Sequence, residues 1–314
     1  MNPVLLLSVL ASLLLLSITG RASAAQKDPV SGPVRFYVHA HQDDWQFFMA
    51  DQVLAHLPSD VATVFIYTTA GDRGDEQKYW QARESGALAS QILLADAARS
   101  APSSLACGLV SLRQHSLQRC IYGATVAYFM RLPDGGSVRS GMGFPRYGDR
   151  SLQILKDQSC ATPPCAITAV DNSTSYANWE DFVLTLGEIV RHESADMGSG
   201  QLWLNAPDFD SAKNPGDHSD HLHTGLAVRD VGQQLAKDTE FRGRLRYAWY
   251  ADYDIANRAT NLTGAAYLAK AGAFLAYDRK VWEIMEFSTL CKAYDIQTRF
   301  LQRSYFRLDQ QETK

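Results

Sequence analysis

What most restricts the folding of this chain is an alternation. Short runs rich in Val, Ile, Phe and Tyr are followed, again and again, by stretches with helical periodicity. The β-rich runs are Val34–Ala40, Val61–Thr68, Thr125–Leu132, Gln201–Asn205 and Arg246–Ala251. The helical patterns are Trp45–Leu57, Gln77–Ala98, Asp181–His192, Leu222–Lys237 and a long last one from Ala273 to about Phe306. Strands alternating with helices predict an α/β fold, a mostly parallel sheet with helices on both faces. Two stretches fit the alternation poorly, Arg99–Gly123 and Pro133–Trp179. The second is rich in Gly, Pro, Ser and Asp. Both read as irregular loops around a site.

The first residues read as something other than fold. Val4–Leu16 is almost unbroken Leu, Val and Ala, and Ala22-Ser23-Ala24 places small residues where a signal peptidase needs them. Residues 1–24 are therefore expected to be a signal peptide and 25–32 a linker. The protein is then secreted or periplasmic, with no stable membrane span, or membrane-anchored if the segment stays uncleaved. The formal net charge of −4 argues against nucleic acid as the main partner, because phosphate binding wants a basic face. It leaves a neutral or cationic carbohydrate open.

Five cysteines, at 107, 120, 160, 165 and 291, are disulfide candidates in an exported chain. The short Pro-containing spacer favours a Cys160–Cys165 bridge. Cys107 and Cys120 are the other near pair, which leaves Cys291 unpaired. No CxxC occurs, so a cysteine zinc site is not expected. Asn172-Ser173-Thr174 and Asn261-Leu262-Thr263 fit the glycosylation pattern.

Two short clusters carry the chemistry. His39-Ala40-His41-Gln42-Asp43-Asp44-Trp45 falls where the first strand ends, the place where open α/β sheets bind ligands. Two adjacent carboxylates beside a histidine call for a cation or a proton. Asp217-His218-Ser219-Asp220-His221-Leu222-His223 follows the Gln201–Asn205 strand and opens the next helix. His218 and His221 are three apart, so they share a face of the first turn. Five of the eight histidines lie in these two stretches. Each cluster alone has a plain structural reading: Asp217 or Asp220 as a helix cap, His39 as a strand side chain, His223 as an ordinary helix residue. Together, at two strand-to-helix junctions, they point to a metal site.

Ala40-His41-Gln42-Asp43-Asp44 resembles the Ala-His-Pro-Asp-Asp-Glu signature of the PIG-L/LmbE-type de-N-acetylases. His218-Ser219-Asp220-His221 resembles that family's later His-Pro-Asp-His motif. Thr68-Thr69-Ala70-Gly71-Asp72-Arg73-Gly74 resembles its glycine turn, and Arg83-Glu84 with the Ala-rich helix after it also fits. The resemblance runs in order from about Val34 to Arg229. It implies a Rossmann-like α/β sheet and one deacetylase domain over 33–314, with insertions at about 99–123 and 133–179. It implies one zinc ion (Zn2+) held by His41, Asp44 and His221. Asp43 becomes the general base, and His218, oriented by Asp220, the group that stabilises the intermediate. An Asp220 carboxylate beside His218 is expected to raise its pKa. The implied substrate is an N-acetylated amino sugar.

The sequence departs from the family pattern at four points, one of them Gly216, where some members place a Tyr two residues before the first His of the later motif. Gln42 and Ser219 replace prolines. Trp45 replaces a Glu and is expected to offer an aromatic face to a sugar, as Tyr79, Trp80 and Tyr147 also could. Rival readings are a zinc hydrolase of another amide or ester, and a non-catalytic carbohydrate-binding protein. The free carboxylate of Asp43 separates the enzyme readings from a purely structural metal site. The oligomeric state is not legible.

Overall fold

The computed structural model describes residues 33–57, 62–75, 77–98, 103–136, 140–195, 200–286 and 299–310. The expected signal peptide, the linker and Cys291 lie outside the described residues. No helix among the described residues is long and apolar enough to cross a membrane.

An eight-stranded sheet forms the centre. Its strands are β1 (Val34–His39), β2 (Ala62–Thr69), β3 (Ala106–Leu112), β4 (His115–Tyr122), β5 (Thr125–Leu132), β8 (Leu202–Pro207), β9 (Leu245–Tyr250) and β10 (Phe306–Gln310). They run in the order β10-β9-β8-β1-β2-β5-β4-β3. The five inner strands from β9 to β5 are parallel, and antiparallel strands close both edges. A separate two-stranded ribbon pairs β6 (Ile167–Thr168) with β7 (Ser175–Tyr176). The α/β fold read from the alternation is the fold observed.

Side-chain alternation explains why both sheet faces are covered. Phe36, Val38, Val64, Ile66, Val126 and Tyr128 face a core closed by α5 (Trp179–Ser194) and α6 (Ser219–Leu235). Tyr37, Phe65, Tyr67, Ala127 and Phe129 face the opposite core. That second core is closed by α1 (Asp44–Phe48), α2 (Ala50–His56), α3 (Gln77–Ala98) and α7 (Gly264–Met285). β2 is buried along its whole length, as a central parallel strand must be. Truncating Phe65 or Phe129 to Ala costs about 3–5 kcal/mol on the scale of large core side chains.

Three boundary readings need correction. Arg99–Gly123 is not an irregular loop: β3 and β4 form a hairpin that extends the sheet beyond β5. Its two-residue turn is Arg113-Gln114, both at positive φ (50° and 69°). Such turns usually announce themselves by Asn or Gly, and neither is here. Cys107 stands opposite Cys120 in this hairpin and is bonded to it. The last helical pattern starts earlier, with α7 over Gly264–Met285; residues 299–301 are helical again, but Phe306–Gln310 is an antiparallel edge strand on β9. Trp45–Leu57 is two short helices, with Met49 as the joint. The Pro133–Trp179 stretch carries α4 (Leu152–Asp157) and the β6–β7 ribbon, with the expected Cys160–Cys165 bridge between them. Its first residues, Asp134 to Gly136, do reach the site.

Candidate metal centre

The sheet order reverses at β1. The chain proceeds from β1 through β2 to β5 on one side, and from β8 to β9 on the other. Segments leaving β1 and β8 therefore diverge and open a crevice at their carboxyl ends. His41 to Asp44 leave β1 there, and Asp217 to His221 arrive after β8. Both clusters singled out in the sequence meet at this point.

His41, Asp44 and His221 bring one ligand atom each into a common space. His41 Nδ1 lies 3.1 Å from His221 Nε2. His221 Nε2 lies 3.3 Å from Asp44 Oδ1, and His41 Nδ1 lies 3.5 Å from Asp44 Oδ2. Tetrahedral coordination with bonds of about 2.0–2.1 Å has edges of roughly 3.3 Å. Measured to the nearer Asp44 oxygen in each case, Oδ1 for His221 and Oδ2 for His41, the three separations are of the size a small divalent cation needs. Asp44 is further fixed by the His41 backbone N–H, which donates to Oδ2 at 2.7 Å.

Electrostatics point the same way. Burial works against a charged His41 ring, but Asp44, Asp220 and Asp134 around it hold it up to about 10. Burial is likewise outweighed at His221, where Asp217 and Asp44 hold the ring well above its ordinary value. Yet two nitrogens 3.1 Å apart share room for one proton. A cation between them uses both lone pairs and supplies the positive charge that the carboxylates demand.

The outer partners are well defined. His221 Nδ1 lies 2.9 Å from Asp217 Oδ1 and 3.2 Å from Asp252 Oδ2, so a carboxylate sits behind this ligand. Asn214 Nδ2 donates to Asp217 Oδ2 at 2.6 Å. Asp252, just after β9, is fully buried, and burial pushes its carboxyl up to about 8. Asp220 Oδ2 lies 3.4 Å from His41 Nε2 and accepts the Gly135 N–H at 2.8 Å. A Cβ on Gly135 would stand 2.5 Å from Asp220 Oδ1, so only glycine fits there.

His218 caps α6: its Nδ1 accepts the Asp220 backbone N–H at 3.1 Å. Neither Asp217 nor Asp220 caps the helix. Nε2 faces the Gly136 carbonyl at 2.9 Å, so it carries the hydrogen and the ring is neutral. The expected rise in the His218 pKa is not found. Burial, with Asp220 opposing and His41 and His221 assisting, holds it below its ordinary value.

Asp43 stands beside the three ligands but contributes no atom to them. Its carboxylate is paired with Arg83, which also donates from Nε to the Tyr277 hydroxyl (2.9 Å) and from Nη1 to the Gly71 carbonyl (2.7 Å). Gly71 lies at φ +55°, and a Cβ there would crowd Arg83 at 2.6 Å. The glycine turn thus seats the arginine that fixes Asp43. Asp72 in the same turn accepts the Asp134 N–H at 3.0 Å, tying the turn to the next strand end.

Trp45 offers no face to a ligand. It is fully buried, its Nε1 donates to the Tyr67 hydroxyl at 2.9 Å, and its ring packs on Phe65. Tyr79 and Trp80 are buried too, under Arg83 and Arg131 respectively. Tyr147 alone of the four remains half-exposed. Sequence reading missed Asp134 and Asp252 and gave Asp217 only a capping role. Each of Asp134 and Asp252 is the second residue after its strand, β5 or β9. The strand-end rule that singled out His41 would have found both.

The family described as GlcNAc-PI de-N-acetylase (PIG-L) matches residues 36–231. No curated protein sequence matches. Among solved structures, N,N'-diacetylchitobiose deacetylase from Pyrococcus horikoshii is 13% identical, with 88% of this chain and 84% of that one covered and a TM-score of 0.46. The zinc-inhibited form of teicoplanin deacetylase Orf2 is 10% identical, with 90% and 100% covered and a TM-score of 0.43. GalB, the 4-carboxy-2-hydroxymuconate hydratase of Pseudomonas putida KT2440, is 10% identical, with 79% and 83% covered and a TM-score of 0.40. With well over half of its length matched, from Phe36 to Val231, the chain belongs to the PIG-L de-N-acetylase family.

Proposed function

We propose that this protein is a zinc-dependent hydrolase that removes N-acetyl groups from a substrate containing an amino sugar. The observation that carries the reading is the convergence of His41 Nδ1, Asp44 and His221 Nε2 beside an unligated Asp43. Two imidazoles and one carboxylate are a donor set that suits zinc and leaves it an open position. Zinc bound there supplies a Lewis acid for the acetyl carbonyl and lowers the pKa of water to about 7.

The chain's own residues supply the rest. Asp43, held by Arg83, would accept the proton of the attacking water and return it to the amine nitrogen as the C–N bond breaks. His218 is neutral and carries its one hydrogen on Nε2, and that hydrogen would serve the oxyanion at the acetyl carbon by leaving the Gly136 carbonyl. A well-placed donor of this kind contributes roughly 3–4 kcal/mol to the transition state. Asp220 orients His41 through Nε2, and Asp217 orients His221 through Nδ1. The amino-sugar substrate is supported by the family match.

The test is hydrolysis by the purified protein of a panel of N-acetylated amino sugars, with and without a chelator, alongside simple acetyl esters and non-sugar amides. Acetate release from amino sugars, lost on chelation and restored by zinc, is expected. Turnover confined to esters or non-sugar amides would overturn the substrate class, and chelator-resistant turnover would overturn the metal. We further propose export, with the mature chain starting near Ala25. N-terminal sequencing of the exported form tests it, and an intact Met1 in a membrane fraction refutes it.

A further inference from the structure

Helix α7 carries an apolar face that no described residue covers. Leu268, Leu275 and Trp282 are 67%, 53% and 54% exposed and recur every seven residues. The opposite face is buried against α3, α1 and α2 through Ala273, Phe274, Tyr277 and Val281. The two charged residues between Gly264 and Asp278, Lys270 and Asp278 itself, also lie on the buried side. Over those four turns the outward face therefore carries no charge, and the first exposed charge beyond them, Arg279, is paired with Glu283.

A seven-residue repeat drifts only about 20° per turn pair on a straight helix, so the three side chains form one stripe about 21 Å long. Gly272 lies beside it. A Cβ there would meet nothing within 4 Å, so another backbone has room to approach.

The ends of α7 are charged the wrong way for an isolated helix. The first turn has no acidic residue, and the Thr263 side chain caps nothing. The last turn has no basic residue; its Glu283 is paired with Arg279 and Lys280 of the turn before, but Glu286 stands at the C-cap. Acidic groups favour a helix N-terminus and disfavour a C-terminus. An antiparallel neighbour of the same sequence cures both faults.

We propose that this face is the contact between two copies of the chain, with α7 lying antiparallel to its counterpart about a two-fold axis at Leu275. Leu275 then meets the partner's Leu275, and Leu268 meets the partner's Trp282. Glu286 of each copy lands at the uncapped first turn of the other. The patch is self-complementary, which a two-fold contact requires. A shallow crossing of about 20° keeps a seven-residue stripe in register. An anionic membrane is a poorer occupant, because interfacial helices carry Lys and Arg beside their apolar face. Here the chain is acidic overall, and the two basic residues beside Trp282, Arg279 and Lys280, are both taken by Glu283, at 3.0 Å and 3.2 Å.

Sedimentation equilibrium of the full chain tests the proposal, with Gly272→Arg and Leu275→Glu alongside. Both substitutions point away from the chain's own core, so unchanged circular dichroism confirms the fold. A concentration-dependent dimer that becomes monomeric in both variants is expected. Under oxidation, Leu275→Cys should cross-link to itself, verified by peptide mapping. Leu268→Cys should link only when mixed with Trp282→Cys. A wild-type monomer overturns the proposal, whether its α7 face binds vesicles or is covered by the apolar Val4–Leu16 run. So does association that survives both variants, or self-linking of Leu268→Cys, which would mean a parallel pair.

Discussion

His221 has two carboxylates behind it, and a single N–H cannot serve both equally. Asp217 Oδ1 is nearer, at 2.9 Å against 3.2 Å for Asp252 Oδ2. Asp217 is also anchored, with Asn214 Nδ2 donating to its other oxygen at 2.6 Å and the Tyr253 N–H reaching Oδ1 at 3.4 Å. Neither oxygen of Asp252 has a hydrogen-bond partner. The Nδ1 hydrogen therefore belongs to Asp217. Asp217→Asn should weaken metal binding 10- to 100-fold, the usual loss for an outer partner of a ligating histidine. That range corresponds to about 1.4–2.8 kcal/mol. Asp252→Asn, which keeps size and removes charge, should change affinity by no more than about threefold, roughly 0.6 kcal/mol. Competition for zinc with a chromophoric chelator at fixed pH measures both. An equal loss in the two variants, or a larger one in Asp252→Asn, would refute the assignment of the hydrogen.

Adjacent carboxylates should separate in the same assay. Asp43→Asn should keep the metal and lose about 10²–10⁴ in turnover, the scale of a general base, whereas Asp44→Asn should lose the metal and be partly rescued by excess zinc. Equal metal loss in both variants would contradict the division of labour. Lys270 is buried in α7 with its ammonium on the Arg303 carbonyl, and burial pushes its pKa from 10.5 down to about 7. Between those values the unfolded chain holds a proton that the folded one lacks, so stability from this group rises with pH, by up to about 1.4 kcal/mol per unit. Unfolding titrations from pH 7 to 10 should show that slope diminished in Lys270→Met, and parallel curves would refute it. Reducing the Cys107–Cys120 bridge, which closes a 13-residue separation, should lower stability by about 3 kcal/mol. An unchanged melting temperature in Cys107→Ala/Cys120→Ala would contradict this.

The fold was legible where hydrophobic periodicity is local. β2 and β5 are continuous apolar runs, and α3 begins and ends at the residues its pattern marks. Elements held by partners were not legible. β10 is a half-exposed edge strand whose existence depends on β9, and the β3–β4 hairpin turns through Arg113-Gln114 without a turn-forming residue. At the site, the convergence of His41, Asp44 and His221 was readable because they crowd into two short segments. Asp134 and Asp252 were passed over because each stands alone in sequence, with no second His or Asp beside it to draw attention to its strand end. The role given to Trp45 failed for a related reason. An aromatic residue next to a site motif can face either way, and α1 turns this one into the core against Tyr67.

A metal bound at this convergence would be part of the fold's stability. Asp44, Asp134, Asp217, Asp220 and Asp252 are all buried around His41, His218 and His221. Among the described residues none of the five pairs with a Lys or Arg; their ionic contacts are to histidines alone. The one arginine nearby, Arg83, is taken by Asp43. Buried carboxylates without cations are strongly unfavourable, so the metal-free protein must draw protons onto its imidazoles and carboxyls to stay folded. A bound dication replaces that arrangement and binds the folded chain alone. With free zinc at about 1,000 times its dissociation constant, the gain in stability is about 4 kcal/mol. Denaturant titration with and without zinc should show a shift of that order, and it should collapse in His221→Ala. The Lys270→Met variant, altered away from the ligands, should retain the full shift. A chelated protein as stable as the zinc-loaded one would mean that the carboxylates find their compensation elsewhere. The cluster would then not be the metal centre that its geometry describes.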